Sequence, residues 1–279
     1  MIASEAFYPP DAVTAEDRLR FYAEQFDTVE VDATYYALLA ERNATLWAER
    51  TPDDFIFHVK AFSLLTTHAA ETKRLPRAIK DLLSPADLAK PRLNRPSDAV
   101  RDLAFQMFSG ALAPLRDAGK LGLIVFQFPP WFTATQANAR YIERCRTRLP
   151  DESLAIEFRH ASWLTDSRRD RTLDFLRDLN LTYVIVDEPQ VPGAVPPVCA
   201  VTATDTYVRF HGRNAEAWTK KGISAAERYR YLYAERELAE WSARLRDLKG
   251  ARRVHTIFNN CYANFGVMNA TTMKQMLMR

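Results

Sequence analysis

Residues 121–128 read Leu-Gly-Leu-Ile-Val-Phe-Gln-Phe, an almost unbroken apolar run followed at once by Pro129 and Pro130. A strand that is apolar on both faces is buried on both faces. Parallel sheets covered by helices produce such strands. Working outward, the same kind of segment recurs at 28–34 (TVEVDAT), 55–61 (FIFHVKA), 154–160 (LAIEFRH), 182–188 (TYVIVDE), 206–212 (TYVRFHG) and 254–260 (VHTIFNN). Each is short and rich in β-branched or aromatic residues, and each turns polar towards its C-terminal end.

Helical periodicity fills the intervals. Thr14 and Asp17 form a capping-box pattern ahead of Leu19, Tyr22, Ala23 and Phe26, and Ser97 caps a helix that places Val100, Leu103, Ala104, Met107 and Phe108 on one face. Further helices are predicted over 135–148, 167–179, 224–248 and about 268–278. Repeated this many times over about 250 residues, the strand–helix alternation favours an α/β fold of the TIM (β/α)8-barrel type over an open doubly wound sheet. Residues 1–279 read as a single domain with an insertion at about 62–97, either a lid over the active face or a surface excursion on the rim. A Pro-rich stretch at 188–199 reads as an extended loop. Only seven strands are counted, and the missing one is the first. The expectation is therefore a chain that starts late and lacks that strand.

Composition narrows the classes. The chain has 38 basic and 35 acidic residues, a net charge of +3, too small by itself to imply a nucleic-acid partner. No apolar run is long enough to span a bilayer, and the first residues carry no signal-peptide pattern, so a cytoplasmic protein without a membrane partner is expected. Cys145, Cys199 and Cys261 have no metal or redox spacing and read as reduced thiols. Eight glycines with no GxGxxG or phosphate-loop pattern argue against a nucleotide cofactor, and no cofactor is expected.

In such barrels the chemistry sits at the strand C-termini. Those ends supply Glu30, Asp32, Lys60, Gln127, Glu157, Arg159, His160, Asp187, Arg209, His211, Arg213, Asn214, Asn259 and Asn260. Glu30 with Asp32, Glu157 with Arg159, and Arg209 with His211 are i, i+2 pairs that share a strand face. Charges inside apolar strands are costly unless paired or solvated in a pocket. Glu157, Asp187 and His211 are candidate acid–base groups, and Arg159, Arg209 and Arg213 suit a phosphate or carboxylate. Glu157, Asp187 and His211 also end three successive strands and could in principle ligate a metal. The many neighbouring cations argue against that, and no metal is assigned. His58 and His255, mid-strand, read as packing residues. The basic pairs Arg168-Arg169, Lys220-Lys221 and Arg252-Arg253 read first as solvated faces.

The segments FYP (7–9), YAEQFDTVEVDATYY (22–36), FIFHVKA (55–61), VFQFPP (125–130), IEFRHASW (156–163), YVRFHGRN (207–214) and FNNCYANFGVMNA (258–270) resemble the DUF72, or YecE-like, family. The resemblance implies a TIM-barrel fold and no established activity. It departs from the family pattern at Asp32, where Asn is usual, and at the start, where a strand like IGTSGW usually precedes FYP. The expected function is an enzyme that binds a phosphate-bearing or other anionic ligand at the strand C-termini and uses acid–base chemistry. The alternatives are a non-catalytic nucleic-acid-associated protein and a metal-dependent hydrolase or isomerase of the endonuclease IV or sugar-isomerase type.

Overall fold

In the computed structural model, residues 7–278 are described. Backbone contacts divide the chain into two compact units, Thr14–Ile156 and a second that joins 157–278 to 7–13. The expectation that the chain lacks its first strand turns on residues 1–6, which lie outside the described residues.

The Thr14–Ile156 unit opens with helix Ala15–Gln25, capped as the sequence predicts: Asp17 N–H donates to Thr14 Oγ1 at 3.1 Å and Thr14 N–H to Asp17 Oδ2 at 2.9 Å. Strands β1 (Thr28–Val31) and β2 (Ile56–Lys60) pair in parallel, with Glu30 opposite His58 and Val31 opposite Val59. The insertion contains a two-residue antiparallel pair, β3 (Ala70–Glu71) with β4 (Arg92–Leu93), and single helical turns at Arg77–Lys80 and Pro85–Leu88. Leu64, Leu65, Leu75, Ile79 and Leu93 are all buried. Helix Asp98–Ala111, capped by Ser97, then leads to β5 (Leu121–Gln127), which pairs in parallel with β2. The boundary between the units falls inside β6 (Leu154–Glu157).

Alternation sorts the side chains of this unit. Phe57 stacks on Trp47 of the helix Glu41–Glu49, and Phe126 stacks on Phe105 of Asp98–Ala111. His58 and Lys60 therefore occupy the opposite face. His58, fully buried, accepts from Leu123 N–H through Nδ1 at 2.9 Å, as expected of a packing residue. Gly122 makes room for it: a Cβ there would sit 2.6 Å from His58 Nδ1.

In the second unit, β7 (Thr182–Asp187), β8 (Asp205–Phe210) and β9 (Arg253–Phe258) form a parallel sheet. Phe210 stacks on Phe258 at 4.5 Å and packs edge-on against Trp241 of the helix Glu235–Arg246, which fixes the helix-facing side. The paired positions Val186 and Arg209 therefore point the other way, while Asp187, opposite Phe210, lies on the helix side. The chain is thus a mixed α/β protein with the alternation the sequence predicts.

One predicted element is corrected. Residues 224–248 are not one helix but two, Ala225–Arg228 and Glu235–Arg246. Between them the backbone is diverted by side-chain amides. Asn269 accepts from Tyr233 N–H through Oδ1 at 3.1 Å and donates to Tyr233 O through Nδ2 at 3.1 Å. Asn260 Nδ2 donates to Tyr231 O at 2.8 Å. These bonds replace helical ones, and tertiary context overrides a periodic pattern.

Candidate functional site

The polar ends of the second unit's strands build one buried cluster around Glu157. Its side chain is 0% exposed, and it receives Arg209 Nη1 on one oxygen and, on the other, His211 Nε2 at 3.0 Å and Arg159 Nη1 at 3.2 Å. Arg209 and His211 are themselves fully buried. Burial raises a carboxyl pKa, but Arg209, His211 and Arg159 outweigh it and hold Glu157 well below the usual range, so it is ionised. His211 goes the other way. Burial, with Arg159 and Arg209 beside it, brings its pKa down to about 3 against the pull of Glu157, so the ring is neutral.

The partners of a neutral ring determine its tautomer. An ionised carboxylate only accepts, so Nε2 carries the hydrogen and donates to Glu157. Nδ1 is then a lone pair, approached by the Asn259 amide nitrogen at 3.2 Å. Glu157 thereby orients His211 with its basic nitrogen towards Asn259, and the amide covers it.

Arg159 links this cluster to a second carboxylate. Its Nη1 lies 3.2 Å from Glu188 Oε2, and Glu188 Oε1 accepts from Val195 N–H in the Pro-rich loop at 2.9 Å. Burial pushes the Glu188 pKa up, with Arg159 opposing. The Arg159 guanidinium lies 4.9 Å from the Trp218 ring centroid, and the side chain is 14% exposed. Among the described residues its Nε and Nη2 have no hydrogen-bond partner, which leaves two donor groups available. Trp218 and Tyr229 pack against His211, at 6.1 and 5.9 Å between ring centroids.

Asp187 belongs to a separate network on the helix side. Arg213 Nε donates to both its oxygens, at 3.1 and 3.0 Å, and Arg213 Nη1 reaches Glu237 Oε1 at 3.0 Å. Tyr231 OH also donates to Glu237, at 2.7 Å. Burial holds the Asp187 pKa above the usual carboxylate value, with Arg213 offsetting part of the effect. The backbone Gly212 N–H donates to Tyr233 OH at 2.9 Å.

Other sequence candidates shape the backbone here. His160 Nδ1 accepts from Ser162 N–H at 3.1 Å, and Asn214 accepts from Ala217 N–H while donating to Arg230 O, both at 3.1 Å. Asn260 is buried and bonds Tyr231 and Asn269. Four candidates belong to the Thr14–Ile156 unit. Lys60 Nζ bonds Asp32 Oδ1 at 2.8 Å and lies 4.9 Å from the Tyr35 ring centroid, Glu30 is half-buried on β1, and Gln127 ends β5 half-buried. Glu188 and Glu237 were not singled out from the sequence. The signal for Glu188 was present in the alternation, since it is the i+2 neighbour of Val186 at the end of β7. Among the described residues, no three His, Cys, Asp or Glu side chains are grouped so as to hold a metal ion. Among them, too, no helix is long and apolar enough to cross a membrane. Two basic pairs meet acids at the surface, Arg169 with Asp166 and Asp170, and Arg252 with Asp205.

A family model described as "Protein of unknown function DUF72" matches residues 3–279. This chain belongs to the DUF72 family. The curated DUF72 relatives include the UPF0759 protein YunF of Bacillus subtilis (strain 168), 34% identical over 279 residues, covering 98% of this chain and 89% of that one. The UPF0759 protein YecE of Escherichia coli (strain K12) is 26% identical over 212 residues, covering 70% of this chain and 66% of that one. Solved DUF72 structures have the same fold. One from Enterococcus faecalis V583 matches with a TM-score of 0.78 at 28% identity, over 94% of this chain and 88% of that one. One from Thermotoga maritima MSB8 matches with a TM-score of 0.77 at 30% identity, over 98% and 94%.

Proposed function

We propose that this DUF72 protein binds a small anionic ligand, phosphate-bearing or carboxylate, at the strand C-termini of its second unit, and performs proton transfer there through His211. The observation that carries the reading is Arg159. One nitrogen is held by Glu157 and Glu188, the plane rests against Trp218, and the remaining donors have no partner among the described residues. A guanidinium fixed in this way has lost its rotamer freedom before a ligand arrives, and its free edge suits an oxyanion.

In this reading Arg209 and Arg213 act as counter-charges rather than as the clamp, since Arg209 is buried against Glu157 and two Arg213 nitrogens go to Asp187 and Glu237. Arg209 is a counter-charge that keeps Glu157 ionised, and Glu157 holds the His211 tautomer. The proton acceptor is His211 Nδ1, exposed when Asn259 gives way to the ligand. Binding and basicity are coupled: an anion on Arg159 offsets the cations that lower the His211 pKa, and so makes the ring a better base.

The test is calorimetric titration of phosphate-bearing and carboxylate metabolites into wild type and Arg159→Met. The reading expects a ligand whose affinity falls at least about tenfold in the variant, the loss of one charge-assisted bond of about 1.5–3 kcal/mol. A ligand bound equally by both proteins contradicts it.

A further inference from the structure

A second site lies in the Thr14–Ile156 unit, where the insertion meets the loop after β5. Thr67, His68, Ala69, Arg92, Asn94, Arg95 and Trp131 line a groove of about 670 Å³. That is within the range of about 300–1,000 Å³ typical of small-ligand pockets. None of these side chains serves the cluster around Glu157.

Three features of the groove go together. The first is aromatic. Trp131 is 66% exposed, an unusual position for the largest apolar side chain, and it is held edge-on against His68 at 5.7 Å. His68 packs in turn against Tyr35 at 5.3 Å. The second is charge. Arg92 and Arg95 are both exposed; Arg92 spends one nitrogen on Ala69 O at 2.9 Å, and Arg95 has no carboxylate partner among the described residues. Lys60, close enough to act on the His68 ring, is matched by Asp32. The third is backbone strain. Among the described residues four non-glycine residues have positive φ, and two line this groove, Thr67 at 65° and Arg95 at 51°. A β-branched residue in the left-handed region is costly, and such strain gathers where a ligand is held.

The groove also offers defined hydrogen-bonding groups. Thr66 Oγ1 donates its hydrogen to Ser63 O at 3.1 Å, so it accepts from His68 Nδ1 at 2.9 Å. The neutral His68 ring, whose pKa burial, Lys60 and Arg92 bring down to about 4, therefore keeps its lone pair on Nε2. Thr67 Oγ1 is buried without a hydrogen-bond partner among the described residues.

We infer that this groove binds a nucleotide unit, its base stacked on Trp131, its phosphate on Arg92 and Arg95, and its polar edge against His68 Nε2 and Asn94. A flat ring on an exposed indole, beside guanidinium groups with donors to spare, is how single nucleotides are held without a glycine loop. The unit can come as a free mononucleotide or as one residue of a single strand, and these sources are separable by experiment.

The experiment follows tryptophan fluorescence and calorimetry on titration with adenosine 5′-monophosphate, ribose 5-phosphate, adenosine and a single-stranded oligodeoxyadenylate of about eight nucleotides. The proposal expects the monophosphate to bind more tightly than either ribose 5-phosphate or adenosine. Trp131→Ala is expected to weaken it about fivefold or more. Arg95→Gln weakens it with a reduced salt dependence. Both positions are exposed, so the variants keep the wild-type melting curve. A strand bound more tightly than the monophosphate identifies the strand as the source, and equal affinities identify the free nucleotide. Arg159→Met leaves this binding unchanged. The proposal is overturned if neither nucleotide form binds at millimolar concentration, if ribose 5-phosphate binds as well as the monophosphate, if Trp131→Ala and Arg95→Gln bind like wild type, or if Arg159→Met abolishes binding.

Discussion

Replacing Glu157 by Gln tests whether the buried cluster is an electrostatic unit. The substitution preserves shape and one acceptor for His211 Nε2–H, but it removes the charge that faces Arg209. Arg209 is 1% exposed, so water cannot take over. The amide nitrogen of the new side chain would also meet guanidinium donors if it took the place of either oxygen. Two charge-assisted hydrogen bonds weaken, from Arg209 and from Arg159, each worth about 1.5–3 kcal/mol. That range agrees with the roughly 3–5 kcal/mol by which breaking a buried ion pair destabilises a protein. At about 2–4 °C per kcal/mol for a chain of this order, melting falls by about 10 °C. Urea denaturation followed by circular dichroism measures it directly, and the companion variants are Arg209→Met and the double substitution. The double variant loses much less than the sum of the singles, with a coupling of at least about 2 kcal/mol, because it no longer buries a lone charge. A Glu157→Gln loss under about 1 kcal/mol, or strict additivity, would mean that Glu157 and Arg209 do not form an electrostatic unit.

Three further outcomes follow from the same geometry. His211 is depressed to about 3, so below pH 6.5 the unfolded chain takes up a proton that the folded one refuses; stability is lost as pH falls, by about 1.4 kcal/mol per unit. Glu157, also depressed, adds its own loss only below about pH 4.5. Asp187 and Glu188, raised by burial, act in the opposite sense, so the observable is the difference between wild type and His211→Asn from pH 6.5 to 5, which slopes by one proton; parallel curves count against a neutral buried His211. Gly212→Ala should destabilise by about 1–3 kcal/mol, since φ is 84° and the new methyl would stand 2.7 Å from Tyr231 Cβ; an unchanged urea midpoint contradicts that. Asn269→Ala strands both Tyr233 backbone groups and should cost about 2–4 kcal/mol and raise amide exchange across 229–234, whereas unchanged exchange there would mean the segment is held by something else.

The strands were legible because each is short, rich in β-branched or aromatic residues, and turns polar towards its C-terminal end. All seven segments contain a strand, from Thr28–Val31 to Arg253–Phe258. The pairs Glu157 with Arg159 and Arg209 with His211 were legible because the alternation of each strand carries on into the residue just past its end. The relative phase of neighbouring strands was not legible. Asp187 is the last residue of β7, yet register puts it opposite Phe210, and Val186 opposite Arg209. Glu188, one residue on, is the carboxylate that Arg159 meets. The break at 229–234 was hidden because its cause, Asn260 and Asn269, lies some thirty residues downstream. Nor could sequence show that Arg209 is sealed against Glu157 while Arg159 is partly exposed, with Nε and Nη2 unpartnered among the described residues.

That difference between the arginines is the centre of the account, and it can be seen directly. A crystal soaked in tungstate, an oxyanion with strong anomalous scattering, reports where a tetrahedral anion settles. A peak is expected within hydrogen-bond reach of Arg159 Nε and Nη2, beside Trp218, and it disappears in Arg159→Met. Occupied anion sites elsewhere with none at Arg159 would contradict the account.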